Sequence, residues 1–308
     1  SEMCIRDSTT TGIMYDLIRQ WCERDDANAT NAKAKIAYCH EMPFTIITQN
    51  LINSFYWNNE ENTSVERSGS RLNFNTTKAN AYWFSKFLQT HNYRLCLGGH
   101  KHTYSCSYPI LENENSSMKP IIQVTADVLK KDFNSDELYT ETAEGALKGQ
   151  SFPKSWENNT NFDMLKHLCT FQLVEEITAP VYLMCQASGY KHTSNKELPS
   201  PNIPWLRYFF PASITINSRD DVTAKVNAGQ RYPFYIKYFL KPGKVDDLHY
   251  YPNLQVTVKK LSNIFNNSGK YNVNLQGLNP TYGVVGGNGE TNNGNDIINV
   301  KFPTYNIG

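Results

Sequence analysis

The sequence predicts an α/β region followed by an all-β, sandwich-like region. Three observations lead there. Helical periodicity alternates with short apolar strands from residue 9 to about residue 187. A Ser- and Pro-rich stretch, Asn195 to Pro204, then breaks the pattern at Pro199, Pro201 and Pro204. From Ala212 onward the regular segments alternate apolar and polar residues, as strands with one buried face do.

Composition sets the outer bounds. A chain of 308 residues suggests about two domains. Hydrophobic residues make up 40% and aromatics 13%, enough for a packed core. The net charge is +1 and the pI near 7.6. No basic stripe for nucleic acid and no membrane-surface patch is indicated. No apolar run is long enough for a membrane-spanning helix. The seven cysteines include no Cys-x-x-Cys pair, which argues against a zinc ribbon or a thioredoxin-type site. Cys39 and Cys96 fall within strand patterns and read as buried, inert thiols. Asparagine is so abundant that sequons such as Asn75-Thr76-Thr77 carry little information.

Ser1 to Ser8, SEMCIRDS, resembles translated adapter text at the edge of a metagenomic assembly. It is expected to be a non-native scar and is set aside in reading the fold. The native protein is then expected to extend upstream of residue 9. A helix is predicted from Thr9 to Asp26, with Ile13, Met14, Leu17, Ile18 and Trp21 on one face. Asp25, Asp26 and the residues after them read as a loop. Lys35 to Cys39 is the first strand, ending at His40. The long polar stretch from Phe44 to Thr77 reads as a loop. Its Arg67 and Arg71 are candidates to meet a phosphate, although solvated loop charges are the commoner case. Tyr56 and Trp57 line a cleft or anchor the loop.

A second helix follows from Lys78 to Asn92, with Ala81, Phe84, Phe87 and Leu88 inward. His91 sits at its C-terminal end and reads as structural, because a cation there suits the helix dipole. Leu95 to Leu97 is a buried strand that stops at Gly98-Gly99, and His100-Lys101-His102-Thr103-Tyr104 follows. The glycines permit a sharp turn. Further strands are predicted at Lys119 to Val128, Cys169 to Glu175 and Val181 to Ala187. Between the first two, Lys130 to Asn161 reads as an insertion, within a region near 112–168, with a short helix at Asp136 to Leu147. Asp127, Asp132, Asp136 and Glu137 read as solvated surface. His167, His192 and His249 have no ligand-like context. Trp205 to Phe210 reads as the last packing element of the first region. Six strands are expected later: 213–216, 223–226, 234–238, 254–258, 271–275 and 297–300. The division is therefore 9–211 and 212–308.

The strand, Gly-Gly, His-Lys-His and Thr-Tyr sequence resembles the Gly-His-x-His element of calcineurin-like metallophosphoesterases. The trailing Thr103-Tyr104 resembles the purple acid phosphatase branch. The upstream strand ending Cys39-His40, with Pro43 three residues past the histidine, is similar to that family's strand-His-x-x-Pro element. The order of the two elements also matches. The resemblance implies the C-terminal part of a two-sheet αββα sandwich, followed by the β-domain. It implies hydrolysis of a phosphoester at a dinuclear centre of Zn, Fe or Mn, with metal-bound hydroxide as nucleophile. His40 and His100 would hold one metal and His102 the other. Arg67, Arg71 and Tyr104 would contact substrate.

The family's Asp-x-His, bridging Asp and Gly-Asn-His elements have no match in residues 9–92. The general acid is therefore unassigned, and the chain alone is expected to be a poor catalyst. Truncation would also expose apolar sheet edges, an aggregation risk. Two other readings stay open. One is a non-catalytic binding or structural protein, secreted or phage-associated, that keeps the scaffold and binds glycan or protein through its β-sandwich. The other is a mononuclear zinc site of His40, His100 and His102.

Overall fold

A computed structural model describes residues 12–39, 42–44, 77–99, 103–113, 119–140, 149–158, 162–166, 168–185, 204–211, 234–262, 274–277 and 296–306. Helices and mixed sheets share the first part, so the α/β character is present there.

Helix α1 runs Gly12–Asn28. It runs two residues beyond Asp26, the predicted end of the helix. Asp26 is held inward by Lys35, whose Nζ donates to Oδ1 at 2.7 Å. Strand β1 is Lys35–Cys39. Helix α2, Thr77–Thr90, buries Phe84, Phe87 and Leu88, the face its periodicity selects. It stops at Asn92, whose φ of 60° breaks helical geometry. Strand β2 is Tyr93–Gly98, β3 is Thr103–Ser107 and β4 is Ile110–Leu111.

Strand β5 is shorter than expected, Ile121–Val124. Thr125 ends it by accepting a hydrogen bond from Val128 N at its side chain, which caps helix α3, Ala126–Phe133. The helix expected at 136–147 is not seen in its described part: Leu138–Thr140 is strand β6, paired with β7 at Ser151–Pro153. A 3₁₀ turn at Lys154–Asn158 and helix α4 at Phe162–Lys166 follow. Phe133, Phe152, Trp156, Leu165 and Leu168 from this stretch all join the core. Strands β8, Thr170–Leu173, β9, Val181–Cys185, and β10, Leu206–Pro211, complete the region.

The first sheet has the order β1-β2-β9-β3-β10. β1, β2 and β9 are parallel, while β3 and β10 run against their neighbours. A second sheet has the order β4-β5-β8. Polar side chains tie β3 to β9 within the first sheet, and tie β5 of the second sheet to the segment that leads into β9. Ser107 Oγ accepts from Tyr182 N at 2.9 Å. Gln123 Oε1, buried, accepts from Thr178 N at 2.8 Å and Ala179 N at 2.9 Å. A buried amide needs such partners, since leaving it unpaired costs about 1–3 kcal/mol.

The described part of the C-terminal region is one antiparallel sheet. β11, Phe234–Lys244, and β12, His249–Ser262, form a long hairpin. Strands β13, Asn274–Gly277, β14, Asp296–Lys301, and β15, Tyr305–Asn306, pair with successive stretches of β12. The strands expected at 213–216 and 223–226 lie outside the described residues. Leu254, Val300 and Phe302 are buried. Lys301 pairs with Glu176 at 2.8 Å, and the Lys33 ammonium lies 5.0 Å from the Tyr305 ring.

Candidate functional site

The two histidine-bearing elements start from paired strands. β1 and β2 are parallel neighbours, and their last register pair is Cys39 with Gly98. His40 follows Cys39 in the chain, and His100 comes two residues after Gly98. β9 ends at the same edge, since Gly98 faces Met184 and Tyr104 faces Cys185. β3 begins there at Thr103, opposite Pro211 at the end of β10. The C-terminal ends of parallel strands are where open α/β sheets place ligands.

β2 and β3 are consecutive in sequence but are not paired. β9 lies between them. Strands two places apart in a sheet are separated by about 10 Å. β2 thus ends at Gly98 on one side of β9 and β3 begins at Thr103 on the other.

Gly98 also has a different role from the one its sequence context suggests. It is a strand residue, not a positive-φ turn. A Cβ added there would lie 2.2 Å from Met42 Cγ. Met42 is 2% exposed, and its side chain occupies the space that a residue with a side chain would need. The segment just past β1 is thus clamped over the end of β2. Phe44 extends the clamp, its ring meeting Tyr182 edge-on at 5.1 Å and Trp205 at 5.9 Å.

His40, His100, His102, Arg67 and Arg71 lie outside the described residues. Tyr104 is placed by its backbone on β3. Among the described residues, no three His, Cys, Asp or Glu side chains come together to hold a metal ion. His91 is structural, as its position predicts, but its partner is a carboxylate. Its Nδ1 lies 2.5 Å from Asp26 Oδ2 and its ring stacks on Phe87 at 4.5 Å. Burial pushes the Asp26 carboxyl up, but the bonds from Lys35 and His91 outweigh it and hold the group below its ordinary value. His249 pairs with Asp246 at the exposed β11–β12 loop, at 2.8 Å.

Two features escape the sequence reading. Asp132 is buried, not solvated, and accepts from Arg207 Nε at 2.8 Å. The sulfurs of Cys39 and Cys96 lie 3.6 Å apart. Burial, with Cys39 beside it, raises the Cys96 thiol well above its ordinary value. A cavity of about 190 Å³ opens on the helical side of β1, lined by Trp21, Ile36, Tyr38, Phe84 and Tyr93. No helix among the described residues is long and apolar enough to cross a membrane.

No family model, no curated protein and no solved structure matches this chain.

Proposed function

We propose that this chain supplies part of the metal centre of a calcineurin-like phosphoester hydrolase, through His40, His100 and His102. One observation supports the reading above the others. The strands that lead into these histidines are parallel register partners, and β3, which follows His102, starts at the same sheet edge. Imidazole suits Zn, Fe or Mn. Two such ions, when bound, would supply Lewis acidity toward the phosphate oxygens and an activated water. The chain's own share is positional. Met42 seated against Gly98 fixes the segment that follows β1, and Phe44 ties it to Tyr182 on β9 and to Trp205, just before β10. Arg67, Arg71 and Tyr104 are proposed to orient the ester. The αββα sandwich and the β-sandwich character of residues 212–308 belong to the same proposal. The bonds from Gln123 on β5 to Thr178 and Ala179, which lead into β9, support two linked sheets in the first region.

The absence of a bridging carboxylate element in residues 9–92 favours a second reading, a binding protein on the same scaffold. One experiment separates them. Metal content is measured by elemental analysis on the purified protein and on H40A, H100A and H102A. Hydrolysis of 4-nitrophenyl phosphate and of its bis ester is assayed in parallel. Bound metal that falls in each variant, with any hydrolysis falling at least about 100-fold, supports the centre. Equal metal content in all four proteins rules it out. Metal-free, inactive protein is the outcome the binding reading requires.

A further inference from the structure

We propose that Cys39 and Cys96 are an oxidisable pair that closes into a cross-strand disulfide joining β1 to β2. The register sets this up. Ala37 faces Cys96 and Cys39 faces Gly98, so Cys39 and Cys96 are diagonal neighbours. Residues two apart on a strand share a face, which puts both thiols on the same side of the sheet. Their sulfurs are 3.6 Å apart, against about 2.0 Å in a disulfide, so closure needs a small approach and no exchange of partners.

Burial alone would make both thiols inert. Cys96 is 0% exposed and Cys39 is 8% exposed. Among the described residues, however, β1 is the outermost strand of its sheet. Outer strands open locally at less cost than central ones, and opening would present Cys39 first. The chemistry is ordinary exchange with a small-molecule disulfide. The Cys39 thiolate attacks one sulfur of the oxidant, forming a mixed disulfide and expelling one thiolate. The Cys96 thiolate then attacks the Cys39 sulfur and expels the second. The protein loses two protons and two electrons, and the oxidant becomes two thiols. Met42 and Gly98 sit at the same strand ends, so the bond would stiffen the edge from which residue 40 continues.

The test uses the full chain. It is treated with oxidised glutathione, quenched with N-ethylmaleimide, digested without reduction and mapped by mass spectrometry. The expected product is a linked peptide pair containing Cys39 and Cys96, two hydrogens lighter than its parts. It should exceed any other cysteine pairing at least about tenfold, because the two thiols are held at high effective concentration. It disappears with dithiothreitol and in Cys96→Ser, but persists in Cys106→Ser. Oxidised protein should melt above reduced protein, because the bond closes a 57-residue separation in the unfolded chain. The wild-type map decides the matter even if a variant fails to fold. Recovery of both cysteines as alkylated thiols or glutathione adducts after exhaustive oxidation overturns the proposal. So does a linked pair no more abundant than pairings among Cys22, Cys106 and Cys169.

Discussion

Single residues decide how the end of β1 is held. Gly98 is there because Met42 needs its space. Gly98→Ala should therefore destabilise the fold by about 1–3 kcal/mol through overpacking. Urea unfolding checks this, and pairing it with Met42→Ala should recover part of the loss. A second residue, Asp26, carries a pH dependence. Its carboxyl is lower in the folded state than unfolded, owing to Lys35 and His91, which prevail over burial. Below the folded value both states are protonated and the contribution vanishes. Between the two values the unfolded chain binds more protons, so stability rises with pH. Above the unfolded value, near 3.9, the contribution is complete. Acid unfolding should show this as a loss of stability on falling through the folded value. Asp26→Asn should flatten that part of the curve and cost about 2 kcal/mol at neutral pH. An unchanged acid transition in the variant would count against the network.

At the level of elements, helix α3 shows how local signals and distant partners combine. Its start is written locally, in Thr125 before Ala126, and its end in Asn134, at φ 50°. Asn134→Ala should cost about 1 kcal/mol, because an alanine pays more for the left-handed conformation. Its inner face depends instead on Arg207, on β10, which is 75 positions away. The Arg207 guanidinium also lies 5.6 Å from the Tyr108 ring. Asp132→Ala should cost about 2 kcal/mol, less than for a fully buried pair. A double-mutant cycle with Arg207→Met isolates the coupling, and a coupling near zero would show the pair to be incidental. Helix α3 was hard to foresee. Thr125 and Asp127 suit a helix start, but they follow an apolar strand without a break, so the strand pattern runs through them.

Across the whole molecule, burial and charge make unequal claims on the C-terminal sheet. Strand β14 approaches β2. The Lys301–Glu176 pair joins the two regions but is exposed on both sides. Exposed pairs contribute little, so Lys301→Ala should change stability by no more than about 0.5 kcal/mol. Its neighbour Phe302 is 1% exposed, and its backbone N–H donates to Pro252 O at 2.9 Å. Phe302→Ala should cost about 3–5 kcal/mol. Thermal melts of the two variants check the order, and a larger loss for Lys301→Ala would reverse it.

By itself the sequence determined the local states. The periodicity of Phe84, Phe87 and Leu88, the apolar runs of β1 and β2 and the alternation of β11 and β12 each need only neighbours along the chain. It also marked His91 as structural through its place at a helix end. Tertiary structure alone decided the partners: Asp26 for His91 across 65 positions, Cys39 for Cys96 across 57, and β9 between β2 and β3. The physical reason is that strand pairing and side-chain contact at such separations are selected by the shared core. Locally, a strand one register away or one place over in the sheet looks the same.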